Sequence, residues 1–175
     1  TSYVNRAEVA ATVAAARRVR ERHGPRAAIA ALTFYKGQYL ALMDAMPASL
    51  QVECLTVDAC QGSEFDFVLI STTRANDRRA VGFVSDPRRI NVAISRAKRQ
   101  CVILGDARNN YNDAKAWCLR DIHSKAKNVV WLNPESPSAW GFGDSVMDRY
   151  TPYCDVIEEC RNLKQLSKIV DQILL

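Results

Sequence analysis

The apolar positions of this chain change period along its length, and each change marks an element. Val9, Val13, Ala16 and Val19 or Arg20 recur at helical spacing, with Arg17, Arg18 and Arg22 turned outward. Asn5 stands where a helix cap belongs, and Glu8 three residues later completes a capping box. Gly24-Pro25 ends that helix. Residues 26–32 form a short apolar run that predicts a buried strand, with Thr33–Gln38 at its carboxyl end. Tyr39, Leu42, Met43 and Met46 predict a second helix, which Pro47 stops. The pattern then predicts a strand at Val52–Thr56, a loop at Asp58–Glu64 and a strand at Phe65–Ser71. A basic loop, Arg74–Arg79, leads toward a helix at Pro87–Lys98, capped by Asp86 and striped by Ile90, Ala93, Ile94 and Ala97. Beyond it come a strand at Gln100–Gly105, a helix at Asp113–Lys127 and a last short strand at Val129–Leu132.

Strands alternating with helices predict an α/β fold, a mostly parallel sheet with helices on both faces. Ligands in such sheets gather beyond the carboxyl ends of the strands. Tyr35, the Gln61–Glu64 corner and the start of the Pro87 helix are all expected near that edge. After Asn133 the composition shifts, with Pro134, Pro137, Gly141, Gly143 and Pro152 breaking the pattern. An amphipathic helix is expected from Val156 to Leu174, carrying Ile157, Leu163, Leu166, Ile169, Val170 and Ile173. The expected organisation is therefore a domain at 1–132, then a linker and C-terminal helical extension at 133–175. Periodicity does not say what that helix packs on.

Composition narrows the function classes. A length of 175 residues suits one domain with a real core. A net charge of +5 points to an acidic partner, nucleic acid first among them. No run is long and apolar enough to span a bilayer, so no membrane partner is expected. The chain begins at Thr1 rather than Met, which fits a piece of something longer. Six cysteines include no Cys-x-x-Cys, and only His23 and His123 could join them, so metal-ligand spacing is absent. Reduced, unpaired thiols and an intracellular setting, cytoplasmic or nuclear, are expected.

Several side chains could carry chemistry. Arg89 and Arg96 lie seven apart on the expected Pro87 helix, along one edge of its apolar stripe. Two guanidiniums there suit a triphosphate or a nucleic-acid backbone, or else form a solvated basic edge. Gly62 permits a tight turn that brings Gln61, Ser63 and Glu64 together. Glu64 could accept a sugar hydroxyl or be an ordinary exposed acid. Tyr35, with Lys36 and Gln38 nearby, could stack on a base or belong to the core edge. The chain has no Gly-x-x-x-x-Gly-Lys-Ser/Thr loop, no adjacent Asp-Glu pair ending a strand and no credible Ser-His-Asp or Cys-His set.

Three ordered segments carry a resemblance. Residues 32–38, Leu-Thr-Phe-Tyr-Lys-Gly-Gln, resemble helicase motif four, with Phe34 where proline is usual. Residues 56–66, Thr-Val-Asp-Ala-Cys-Gln-Gly-Ser-Glu-Phe-Asp, resemble motif five, and residues 86–97 resemble motif six. Tyr3, Asn5 and Glu8 are similar to the opening segment of the same domain. Together they resemble the second RecA-like domain of superfamily-one helicases, in the branch of the nonsense-mediated-decay helicase and senataxin. The resemblance implies a RecA-like fold and an ATP-dependent RNA or DNA helicase. It implies that Arg96 is an arginine finger, with Arg89 a second phosphate-site arginine. It places Tyr35, Gln38 and Glu64 at the nucleotide, and Thr33, Thr56 and Gln61 on the nucleic-acid track. ATP with Mg²⁺ is the implied cofactor, its metal held mainly by a first RecA-like domain that this chain lacks. Single-stranded RNA or DNA and that first domain are the implied partners, and the chain alone is expected to be inactive. The competing reading is a non-catalytic helicase-like module that binds nucleic acid or protein.

Overall fold

A computed structural model describes residues 3–73, 96–108, 111, 113–162, 164–166 and 168–169. Six strands form one wholly parallel sheet: β1 Ile29–Thr33, β2 Val52–Thr56, β3 Phe65–Ser71, β4 Ala97–Leu104, β5 Asn128–Asn133 and β6 Val156–Glu159. Their spatial order is β2-β1-β3-β4-β5-β6. The helices are α1 Arg6–His23, α2 Lys36–Ala45, α3 Ala116–His123 and the single turn α4 Met147–Tyr150. This is the expected RecA-like α/β architecture.

Strand periodicity sorts the core into two faces. Ile29, Phe67, Leu69, Val102, Leu104, Val130 and Leu132 meet α1 on one side. Ala15 and Ala16 of α1 are fully buried there, and their small side chains let the helix press close to the sheet. Leu42 of α2 packs with Val9, Ala31 and Cys54 in an adjoining cluster. On the other face Leu32, Val68, Ile70, Cys101, Ile103 and Trp131 meet Leu119 and Ile122 of α3, together with Met147. Fully burying side chains such as Leu42 or Ile122 contributes about 1.5–3 kcal/mol each.

The helix at the start is capped as its sequence predicts. Asn5 Oδ1 accepts the Glu8 N–H at 3.1 Å. The return bond of a capping box is absent, because the Asn5 N–H goes instead to Gln38 Oε1 at 2.8 Å. At the other end Arg20 gathers the carbonyls of Leu50, Gly24, Ala27 and Gln51, tying α1 to both neighbouring turns.

Several expected boundaries move. The helix expected at Asp113–Lys127 shortens to Ala116–His123, because Lys115 takes a left-handed backbone with φ of 49°. The helix expected at Pro87–Lys98 does not reach its expected end, since Ala97 and Lys98 already belong to β4. Arg96 before them is a turn residue, and residues 87–95 with Arg88 and Arg89, like the basic-loop residues Arg74, Arg78 and Arg79, lie outside the described residues. Most changed is the C-terminal part. Val156–Glu159 is a strand paired with β5, not the first turn of a helix, so Val129–Leu132 does not close the sheet. Among the described residues beyond β6, helix is found at 164–166 and 168–169. Its Leu166 and Ile169 pack into the α1-side core, which answers what periodicity left open about this segment's packing. Arg108 locks the segment between β5 and β6, forking onto both carboxylate oxygens of Glu135 and reaching Asp144 at 2.6 Å.

Candidate functional site

The strand order decides where the functional side chains stand. β1 lies between β2 and β3, so residues 57–64 must run back past β1 from the carboxyl end of β2 to the amino end of β3. Val57 and Cys60, three apart, are buried and hold this connection to the core, while Asp58, Gln61 and Glu64 face outward. Gly62 takes φ of +87°, and a Cβ added there would meet nothing within 4 Å, so backbone conformation rather than space favours glycine.

Glu64 therefore sits at the amino-terminal edge of the sheet, not at the carboxyl edge where it is expected from sequence. Arg96 meets it there. The Arg96 carbonyl accepts the Phe65 N–H at 2.8 Å, and its Nη1 donates to the Ser63 carbonyl at 3.1 Å. Lys98, two residues on, puts its ammonium 2.8 Å from Glu64 Oε2. The Lys98 ammonium, aided by the Arg96 charge, holds the Glu64 carboxyl below its ordinary range. Glu64 in turn raises Lys98. This edge combines two cations with one carboxylate, a composition that suits a phosphate-bearing ligand. Among the described residues no group of three or more His, Cys, Asp or Glu could hold a metal ion. One carboxylate beside two cations is itself a poor donor set for a metal ion.

The opposite edge collects a different set. Thr33, paired with Thr56 on one side and Ser71 on the other, ends β1. Given about 3.3 Å per residue, β3 separates these residues from Glu64 by roughly 20 Å. Thr33 and Gln38 have no exposed surface, so neither presents a side chain to a ligand as expected. Burial has a clear cause. Gln38 Nε2 donates to Ser71 Oγ at 2.9 Å and to the Asn5 carbonyl, while Thr33 and Thr73 hydroxyls lie 3.2 Å apart. Tyr35 is 7% exposed and meets Tyr3 edge to face at 5.4 Å between centroids. Thr56, half-buried, ends β2 and Gln61, exposed, lies on the connection that joins the two edges.

Glu8 completes this buried network, and sequence reasoning missed it beyond its part in the cap. Its Oε2 accepts the Ser71 hydroxyl and the Thr73 N–H, and its Oε1 accepts Asn5 Nδ2. Burial pushes the Glu8 carboxyl up to about 7 against these hydrogen bonds, with a small push from Asp106. Thr73 has φ of 58°, a conformation that a β-branched residue rarely adopts. Beside Glu8 a pocket of about 220 Å³ opens between α1 and the carboxyl ends of β4 and β5, lined in part by Asp106, Leu132 and Arg161. Lys98 was also missed. Its placement on the expected helix hid that it stands at the start of β4, across from Glu64 just before β3.

Comparison with known proteins places the chain in a family. The family model described as an AAA domain matches residues 1–108. A regulator of nonsense transcripts 1 homolog of Neurospora crassa is 38% identical over 154 residues, covering 82% of this chain. The regulator of nonsense transcripts 1 of Caenorhabditis elegans is 36% identical over 142 residues, covering 77% of the chain. The ATP-dependent helicase NAM7 of Saccharomyces cerevisiae is 36% identical over 110 residues, or 58% of the chain. The chain spans only 11–14% of the length of these relatives. Among the described residues no helix is long and apolar enough to cross a membrane.

Proposed function

The chain belongs to the superfamily-one helicases, in the nonsense-mediated-decay branch, and on that premise we propose that it is the C-terminal motor half of an ATP-dependent RNA or DNA helicase. Arg96 is its arginine finger. One observation carries the reading: the Arg96 guanidinium is anchored by the Ser63 carbonyl beside Glu64, at a polar edge of the sheet. An arginine so fixed can stabilise the negative charge that develops on a transferring phosphoryl group, with little reorganisation. Glu64 accepts a hydroxyl of the nucleotide, and Arg89 supplies a second cation to the phosphates. ATP binds with Mg²⁺ between this edge and a first RecA-like domain, which holds the metal. The metal neutralises phosphate charge there.

Thr56 and Gln61 lie along the path between the two edges and serve the track for single-stranded RNA or DNA. Tyr35 stands at that far edge, where a stacking role requires its ring to leave Tyr3. Gln38 and Thr33 act through the buried network rather than by direct contact. The motor works inside the cell, in cytoplasm or nucleus, and this half alone turns over no ATP because phosphate loop and metal-binding acids belong to the other half.

The test is Arg96→Ala in the full-length protein, with nucleic-acid-stimulated ATPase as the readout. Turnover is expected to fall by about a thousandfold or more while the thermal transition stays in place. Turnover at the parent rate would remove the finger assignment.

A further inference from the structure

Arg96 and Lys98 both bring their charge to Glu64 where the chain enters β4, yet they are held differently. Arg96 is anchored to the main chain at Ser63 and to the strand pairing at Phe65. Among the described residues the Lys98 ammonium pairs with a side chain, the Glu64 carboxylate at 2.8 Å, and both partners are 57% exposed. An ion pair so open to water adds little to folding. What it does is keep a carboxylate and an ammonium together at the rim of a site that needs each of them for something else.

The two charges have different reach. An ammonium on a four-carbon stem is a compact point charge that can swing between anions without moving the backbone, whereas a guanidinium prefers a fixed fork. A triphosphate entering beside Arg96 offers more negative charge than one carboxylate. Asp66, the next acid on the same edge, also raises Lys98 from a distance, but its Oδ2 is taken by the Ala28 N–H at 3.0 Å. Glu64 is thus the anion from which Lys98 departs.

We propose that Lys98 is a further nucleotide-binding residue of this wall, holding Glu64 while the wall is empty and transferring to the phosphates when a nucleotide enters. The transfer releases the Glu64 carboxylate to accept a sugar hydroxyl, so one exchange of partners prepares both contacts. This inference rests on the reading of Arg96 and Glu64 as the nucleotide-facing edge, and it adds a third residue to that edge.

The experiment compares Lys98→Met, Lys98→Arg and Arg96→Ala in the full-length protein at saturating nucleic acid, with ATP varied. Removing a charge-assisted contact to phosphate is expected to raise the Lys98→Met KM for ATP by about tenfold, with kcat changed by less than about twofold. Lys98→Arg is expected to recover most of that loss, since it keeps the charge. Equilibrium binding of ADP is expected to weaken in parallel, while adenosine, which has the ribose but no phosphate to draw Lys98 away, binds Lys98→Met at least as tightly as it binds the parent, because Glu64 is then free. An unchanged or lower KM in Lys98→Met, with Arg96→Ala inactive, overturns the Lys98 role alone and leaves a surface ion pair. Loss of adenosine binding in step with ADP also overturns it, because the defect is then not at phosphate. If Arg96→Ala keeps full turnover, the failure lies in the underlying site and takes the Lys98 role with it.

Discussion

Glu8 gives the most exacting test of the fold, because its environment converts a buried carboxyl into a pH-dependent stability. The group is enclosed by Asn5 at the cap of its own helix, Gln38 of α2 behind Ser71, and Ser71 and Thr73 at the end of β3, with Asp106 the nearby acid. Burial raises its pKa from 4.5 to about 7, more than the hydrogen bonds lower it. The folded protein therefore keeps a proton that the unfolded chain has already released. Stability from this group is fully present below pH 4.5 and is lost as pH rises through about 7. At about 1.4 kcal/mol per pKa unit, the full change is on the order of 3 kcal/mol. The perturbation is Glu8→Gln, which keeps the shape of the side chain and removes its titration. The amide nitrogen of glutamine meets donors at one of the two oxygen positions, and that cost is the same at every pH. Urea unfolding of parent and variant at pH steps from 4.5 to 8 isolates the group, since all other titrating groups cancel in the difference. The variant is expected to gain on the parent by up to about 3 kcal/mol across that window. A stability difference that stays flat with pH would show that Glu8 ionises alike in both states, and the buried network at the end of β3 would be wrong.

Two further substitutions probe other parts of the fold. Leu166→Ala removes a side chain that is 1% exposed in the α1-side core and is expected to cost about 2–5 kcal/mol in urea unfolding. A cost near zero would mean that the C-terminal helix does not pack on this sheet. Gly62→Ala places a side chain in open space but at φ of +87°, and is expected to cost about 1–2 kcal/mol through backbone strain alone. A variant as stable as the parent, by thermal unfolding, would show that the Gln61–Glu64 corner relaxes to another turn.

What the sequence made legible is what local pattern can carry. Asn5 as cap, Pro47 as stop, and the apolar runs of β1, β2, β3 and β5 all follow from spacing within a few residues. Where long-range partners compete, the pattern misleads. The capping box at Asn5 and Glu8 is half-made because Gln38, 33 residues away, takes the Asn5 N–H and Glu8 turns to Ser71 and Thr73. Val156 and Ile157 fit a helical stripe as well as a strand, and only the free edge of β5 decides between them. The same limit applied to the site. Arg96, Glu64 and Ser63 come together as their separate motifs suggest, but the edge on which they meet depends on β1 lying between β2 and β3, which no local period records.

That strand order has a mechanical consequence for the proposed motor. If nucleotide and nucleic acid met at one edge of the sheet, motion at one would disturb the other directly, and no transmitting element would be needed. Here the two sets of residues stand at opposite ends of β3, and one connection runs between them. It leaves the far edge at Thr56, where the Val57 N–H bonds the Thr33 carbonyl at 3.0 Å, and arrives at Glu64 beside Arg96. Val57 and Cys60 fix its middle in the core, so it cannot slide freely over the sheet. A pull on Glu64 from the nucleotide that it contacts is then carried either through this pegged connection or through β3, whose first residue pairs with the Arg96 carbonyl. Both routes end beside Thr33, Ser71 and Thr73, the buried cluster that Glu8 completes. Under the proposed function, the polar interior at the far edge is where the state of the nucleotide edge is received. Glu8→Gln should therefore leave the KM for ATP near the parent value and alter the coupling of ATP turnover to nucleic acid, whereas Lys98→Met should do the reverse.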